Sequence, residues 1–254
     1  MSFCDRLRLD GRAALVTGAA TGIGQATAET LAGQGASPLW LVDLDEGGLG
    51  EVTDALKAGG TDVRAYVADA SNYRAMSETL ADGEAIELIA NAAGNVSSSR
   101  FLELGLPEWQ ATLDSHTKSC FVTSRLLAPS MVERGRGSIV NVASVAGKRG
   151  GGFLGTSAYS AAKAAVNGLT KCVARELAPH GIRVNSVNPG MTNTRRTELL
   201  RADPDVWKRC LAAVPLARIA QPREVAATIL WLLSDAASYV TGETINVDGG
   251  VSME

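Results

Sequence analysis

"AALVTGAATGIG", residues 13–24, decides how the rest of the chain is read. Its first five residues carry no charge and include Leu15, Val16 and Thr17, which predicts a strand running straight into a glycine turn. Gly18, Gly22 and Gly24 stand in that turn and at the start of the next helix. Glycines there let the main chain approach a pyrophosphate, whose charge is favoured by the free N–H groups and dipole of the helix terminus. The same glycines would also serve a plain tight turn, and the motif alone does not separate the two readings. Context does: Asp43 closes the next predicted strand, nineteen positions beyond Gly24. That is the separation expected of a carboxylate that binds adenosine ribose hydroxyls. A carboxylate there repels a 2′-phosphate, and neither Thr21 nor Leu44 supplies a cation to attract one. NAD is therefore expected over NADP, with a solvated strand-end acid as the alternative reading of Asp43.

Outward from this unit, short apolar runs alternate with helical patterns almost to the end. Predicted strands follow at 38–43, 62–68, 86–90, 138–143, 182–187 and 244–248, and apolar spacing of three and four residues marks helices at 24–34, 107–133, 157–178 and 223–233. Most of these strands are apolar on both faces, as helices on both sides of a parallel sheet require. The expectation is an α/β fold, a doubly wound parallel sheet of about seven strands in a single domain, 1–254. The glycine-rich stretch 148–157 lies between a strand and a helix and reads as a loop.

Composition agrees with a globular protein and excludes several functions. The 254 residues are 46% hydrophobic and 20% charged, with a net charge of −3 and no basic stripe for a nucleic acid or membrane surface. The charged amino terminus does not resemble a secretory signal, and no apolar run reaches membrane-spanning length. Cys4, Cys120, Cys172 and Cys210 are far apart and read as free thiols, neither a disulfide frame nor a zinc site. A soluble cytoplasmic protein without metal is expected.

A second constellation lies in "SVAGKRGGGFLGTSAYSAAK", residues 144–163. Tyr159 and Lys163 are four apart on a predicted helix, so they share a face about 6 Å apart along the axis. A phenol with a pKa near 10 is a poor base at neutral pH, and making it an effective one takes about 4 kcal/mol of differential stabilisation. A close ammonium in a partly desolvated cleft can supply that. Ser144, ending the preceding strand, can hydrogen-bond a reacting oxygen. An amphipathic helix with a half-buried Tyr and a solvated Lys is the plainer alternative.

Taken together, "TGAATGIG", "NAAG" (91–94), Ser144, "YSAAK" (159–163) and "NPG" (188–190) resemble the short-chain dehydrogenase/reductase family over nearly the whole chain. The resemblance implies a Rossmann-type fold and an oxidoreductase acting on a small alcohol or ketone. It implies Tyr159 as acid/base, Lys163 lowering its pKa and binding nicotinamide ribose, and Ser144 orienting the substrate oxygen. Gly18, Thr21, Gly22, Ile23, Gly24, Asp43 and Leu44 would hold the adenosine and phosphates, with Asp69 and Ala70 at the adenine. Asn91, Ala93 and Gly94 would line the cofactor cleft, and Pro189, Gly190, Thr192 and Thr194 would hold the nicotinamide end. In oxidation Tyr159 would take the hydroxyl proton as hydride leaves the carbinol carbon for NAD⁺. The family also implies a homotetramer, and the small residues Ala161, Ala162, Ala164, Ala165 and Gly168 along one helix would permit close helix approach.

This chain departs from the family pattern in three places. The loop between Ser144 and Tyr159 is longer than usual, and the span from Asp69 to Asn91 is shorter, implying a trimmed fourth helix. His116 falls where the family usually places an asparagine that shapes a helix kink and takes part in a proton relay through Lys163. A neutral imidazole both donates and accepts, so His116 joins the candidate catalytic set, with simple packing as the alternative.

On the substrate side, 191–215 reads as two short helices forming a mobile lid. Arg195, Arg196 and Arg201 there would bind a substrate carboxylate or phosphate, or form a solvated surface. Val96, Phe153, Leu154 and Trp207 are candidates for apolar walls, with core packing or a subunit contact as the equal alternative. The leading expectation is an NAD-dependent dehydrogenase of a secondary alcohol such as a polyol, sugar or hydroxy acid. The alternatives are an NADPH-dependent ketoacyl-type reductase and a weakly catalytic cofactor-binding protein.

Overall fold

The uncharged runs become strands because both of their faces are covered. They form β1 (Ala13–Thr17), β2 (Leu39–Asp43), β3 (Val63–Val67), β4 (Ile86–Asn91), β5 (Gly137–Val142), β6 (Ile182–Pro189) and β7 (Thr244–Val247). The computed structural model describes residues 2–83, 85–95, 99–151 and 156–253, without the side chains of Arg196 and Leu199. All pairings are parallel, in the order β3-β2-β1-β4-β5-β6-β7. The early helices are α1 (Phe3–Leu7), α2 (Gly22–Gly33), α3 (Glu46–Ala58), α4 (Tyr73–Thr79), α5 (Leu106–Leu113) and α6 (Ser119–Arg134). The later ones are α7 (Val145–Arg149), α8 (Ser157–Leu177), α9 (Arg195–Arg201), α10 (Pro204–Ala212) and α11 (Pro222–Leu233).

Side-chain parity along each strand divides the core in two. Ala14 and Val16 of β1 and Leu39 and Leu41 of β2 join Leu31, Leu49, Val52 and Ile229 from α2, α3 and α11. Ala13, Leu15, Trp40 and Val42 face the other way, onto Met76, Val122, Leu127 and Met131 of α4 and α6. Each fully buried aliphatic side chain contributes about 1.5–3 kcal/mol. Strand order reverses between β1 and β4, so the helices that follow them leave on opposite faces and open a crevice at the carboxyl ends.

The amino ends of the same strands carry charge. Glu87 on β4 is buried and accepts from Arg12 Nε and Arg136 Nε, each at 2.6 Å. Arg183 on β6 donates to the carbonyls of Leu232 (2.7 Å), Leu233 (3.3 Å) and Ser234 (3.0 Å), closing the carboxyl end of α11. Burial pulls the Arg183 guanidinium down to a pKa of about 10, which leaves it protonated at neutral pH.

The helical pattern over 107–133 differs from expectation. It is interrupted by a π-helical turn, Asp114–Lys118, that carries His116. Carbonyls left over by the wider turn are satisfied locally: Ser119 Oγ donates to Ser115 O at 2.7 Å, and Cys120 Sγ to His116 O at 3.1 Å. Among the described residues no helix is long and apolar enough to cross a membrane, and no cluster of metal-ligating side chains forms. The four cysteines are free thiols.

Candidate active site

The glycine turn is built by contacts that no side chain could share. Gly18 has φ +68°, and a Cβ on it would lie 2.8 Å from the main chain of Ala92 and Ala93, across the β1–β4 crevice. A Cβ on Gly24 would collide with the Gly18 carbonyl oxygen. Thr21 precedes α2 without capping it, so the first amides of that helix stay open towards the cleft. Asp43 lies beside this turn: Oδ2 accepts from Ala20 N at 2.9 Å and Oδ1 from Asp45 N at 3.0 Å. These bonds fix the carboxylate at the carboxyl end of β2. Asp69, ending the segment after β3, accepts from Ser71 N at 2.8 Å. Open amides at a helix terminus, a glycine cradle and fixed carboxylates beyond it suit a dinucleotide's phosphates and ribose hydroxyls.

Across the crevice, α7 and α8 carry the second constellation. Ser144 starts α7, its Oγ accepting from Ala146 N at 3.1 Å, while its own N–H donates to Asn188 Oδ1 at 3.1 Å. Gly147 seats α7 on α8, since a Cβ there would lie 2.7 Å from Ala164 N. This holds Ser144 against the face of α8 that carries Tyr159 and Lys163. Lys163 is buried; its Nζ donates to Val142 O at 2.6 Å and lies 5.8 Å from the Tyr159 ring centre. The His116 ring meets that of Tyr159 edge-on, with centres 5.1 Å apart and planes at 79°. His116 Nε2 lies 3.0 Å from Asn95 O, and because a carbonyl only accepts, Nε2 carries the proton. Gly94 packs so closely on this imidazole that a Cβ there would overlap the ring. Thr117 Oγ1 donates to Ala162 O at 3.0 Å and ties the π-helical turn to α8. Burial pushes the neighbouring Cys120 thiol up to about 11, against the pull of the Lys163 ammonium, so it stays neutral and inert.

Both constellations border one cleft of about 1250 Å³. Gly18, Thr21, Gly22, Ile23, Gly24, Asp43, Leu44, Asp69 and Ala70 line one end. Ala93, Gly94, His116, Ser144, Tyr159, Lys163, Pro189, Gly190, Thr192 and Thr194 line the rest. One expectation needs correction, and two open readings are narrowed. Asn91 does not face the cleft: its Nδ2 donates to Asn141 Oδ1 and its Oδ1 accepts from Thr123 Oγ1, both at 2.8 Å. Asn141 passes the chain on to Thr170 Oγ1 at 3.0 Å, so a buried polar thread joins α6 to α8 through the sheet. Arg201 turns away as well, donating to Asn193 Oδ1 at 2.6 Å and lying 5.1 Å over the Trp207 ring. Trp207 thus borders a separate hollow with Leu211 and Ile219 and forms no wall of the cleft. Val96, Phe153, Leu154 and the Arg196 side chain lie outside the described residues.

Sequence reasoning passed over Gly147, Arg100, Arg149 and Arg209. A lone glycine inside the helical run after Ser144 was the available signal for Gly147. For the others, the cleft wall is set by how helices from distant parts of the chain converge, and no local pattern marks it.

A doubly wound sheet with a glycine cradle, carboxylates at the ends of the next two strands and a Ser–Tyr–Lys set defines a dinucleotide-binding oxidoreductase. Comparison with known proteins agrees. A family model described as enoyl-(acyl carrier protein) reductase matches residues 18–252. The 3-oxoacyl-[acyl-carrier-protein] reductase of Synechocystis is 40% identical over 250 residues, 96% of this chain and 98% of the relative. A 3-oxoacyl-[acyl-carrier protein] reductase of Brucella melitensis, solved with NAD bound, superposes with a TM-score of 0.89 at 34% identity, covering 100% of this chain and 97% of that one. An Agrobacterium tumefaciens protein assigned as a 2-deoxy-D-gluconate 3-dehydrogenase, solved with NADP bound, gives 0.89 at 35% identity, covering 97% and 98%. The chain belongs to the short-chain dehydrogenase/reductase family.

Proposed function

We propose that this protein is an NAD-dependent oxidoreductase that interconverts a secondary alcohol and a ketone. The observation that carries the reading is the placement of Tyr159, Lys163 and Ser144 on one wall of the cleft whose far end holds Asp43. A nicotinamide bound between them supplies the hydride acceptor or donor. Ser144 Oγ holds the reacting oxygen, and Tyr159 Oη takes its proton in oxidation or returns one in reduction. Lys163 favours the phenolate by its charge. His116 positions the Tyr159 ring through the edge-on contact and keeps Asn95 in place. Asp43 would hold the cofactor's ribose hydroxyls, Asp69 and Ala70 its adenine, and Pro189, Gly190, Thr192 and Thr194 its nicotinamide end.

Asp43 supports NAD over NADP: two main-chain N–H groups hold its carboxylate in place, and a 2′-phosphate beside it would meet a second negative charge. Turnover with NADH and NADPH at equal concentration tests this directly. A clear NADH preference that collapses in Asp43→Ala supports the reading, and an NADPH preference in the wild type sinks it. A second reading, an NADPH-dependent 3-oxoacyl reductase, is favoured by the 40% identity to the Synechocystis enzyme. The same cofactor comparison separates the two, and binding without turnover of any alcohol or ketone would leave a cofactor-binding protein. Polyols, sugars and hydroxy acids form the first substrate panel.

We propose also that residues 1–254 form one domain, that α9 and α10 act as its substrate lid, and that the protein works as a cytoplasmic homotetramer. The free thiols suit a reducing compartment, and Ala164, Ala165 and Gly168 leave a small-residue face of α8 exposed. Light scattering should give the mass of four chains, and a monomer would overturn the assembly.

A further inference from the structure

Charge is segregated along the cleft. Its carboxylates, Asp43, Asp45 and Asp69, all stand at the ends of β2 and β3, on the side of the glycine turn. Its guanidinium groups, on Arg100, Arg149, Arg195 and Arg209, are spread over the remaining wall. Arg195 follows Thr194, whose methyl group would lie 3.1 Å from a Cβ on Gly22, so it stands where cofactor phosphates are expected. The other three come from unconnected parts of the chain. Arg100 lies ahead of α5, Arg149 ends α7, and Arg209 lies on α10, whose Val214 neighbour packs on Gly249 beside the Pro189–Gly190 end. None of the three forms an ion pair with a described residue, although Asp205 stands one turn before Arg209 on the same helix. A solvated surface explains any one exposed arginine; it does not explain three that line the part of one cleft where, among the described residues, no acid stands.

We infer that the substrate carries an anionic group, a carboxylate or a phosphate, several bonds from its reacting carbon, and that Arg149 and Arg209 bind it with Arg100 at the mouth. The deduction rests on the alcohol–ketone reaction proposed above. Arg149 is five residues beyond Ser144 on α7, about 7 Å along the helix axis, and its side chain spans the rest of the reach. An anion held there fixes the substrate's direction in the cleft, so that one face of its carbonyl meets Ser144 and Tyr159. Guanidinium groups without an ion-pair partner among the described residues are suited to this because they form two parallel charge-assisted bonds to a carboxylate or phosphate.

The test compares three ketones under NADH: 5-oxohexanoate, its neutral ethyl ester, and acetoacetyl-coenzyme A. The expected result is a kcat/KM at least about tenfold higher for one of the anions than for the ester, falling as salt is raised. Preference for 5-oxohexanoate identifies a carboxylate substrate, and preference for the coenzyme A thioester a phosphate-bearing one. Arg149→Gln and Arg209→Gln, made separately, should cut that preference about tenfold through KM, with the melting temperature held. An ester turned over as well as both anions overturns the inference and leaves the proposed reaction standing. No turnover of any of the three, with NADH still bound, overturns the inference; the reaction falls with it only if the polyol, sugar and hydroxy-acid panel is not turned over either.

Discussion

His116 and Gly94 are closely fitted, with no room for a Cβ between the glycine and the imidazole. Gly94→Ala should cost about 1–3 kcal/mol in urea unfolding, because the new methyl group would overlap the buried His116 ring and force it to move. Adding His116→Ala should recover most of that loss, and a double-mutant cycle measures the coupling. If the two effects simply add, the packing account fails. His116→Asn should preserve turnover, while His116→Ala lowers kcat and leaves NADH binding intact by fluorescence titration. Tyr159→Phe should lose about 10²–10⁴-fold in turnover at unchanged NADH affinity. Legibility at this scale is uneven. Gly18 and Gly24 could be read because only glycine satisfies their contacts, and the spacing to Asp43 follows from strand geometry. Asn91 misled because its partner Asn141 lies fifty residues away, and sequence spacing carries no trace of that bond.

At the scale of elements, strands were easier to read than helix interiors, because burial on both faces leaves an uninterrupted apolar run. The helix over 107–133 hid its π-helical turn, since the apolar spacing on either side still fits an α-helix. That turn contains one residue more than α-geometry needs, so deleting Ser115 should let α5 run into α6 without a break. The variant should keep the far-ultraviolet circular dichroism of the wild type and lower kcat, because His116 is carried off the Tyr159 ring. The amino end of α11 gives a pH test. Arg218 pairs with Glu224 at 2.8 and 2.6 Å, and Gln221 N–H adds a bond at 2.7 Å, holding the Glu224 carboxyl at about 2, well below its ordinary 4.5. A carboxyl depressed in the folded state stabilises it above the unfolded pKa and loses that effect as pH falls through the folded one. The melting-temperature gap between wild type and Glu224→Gln should therefore be full at pH 6 and shrink from about pH 4.5 towards pH 2.

Over the whole molecule, the thiols report packing. Cys4 and Cys172 are exposed, whereas Cys120 and Cys210 are buried. A thiol reagent at pH 8 should label two sites on the folded single chain and all four only after unfolding. Cys172 should react more slowly than Cys4, because the adjacent Glu176 carboxylate raises its pKa. A larger division runs from one edge of the sheet to the other. Arg12, Glu87, Arg136 and Arg183 stand at the amino ends of β1, β4, β5 and β6, bonded to one another or to α11. Asp43, Ser144 and Gly190 stand at the carboxyl ends, a strand's length away. Arg183→Gln should cost about 1.5–3 kcal/mol in urea unfolding and leave kcat/KM where it was. Heritable change can therefore work on the two edges separately: a lineage can adapt to heat through one rim of the sheet while its substrate range drifts through the other.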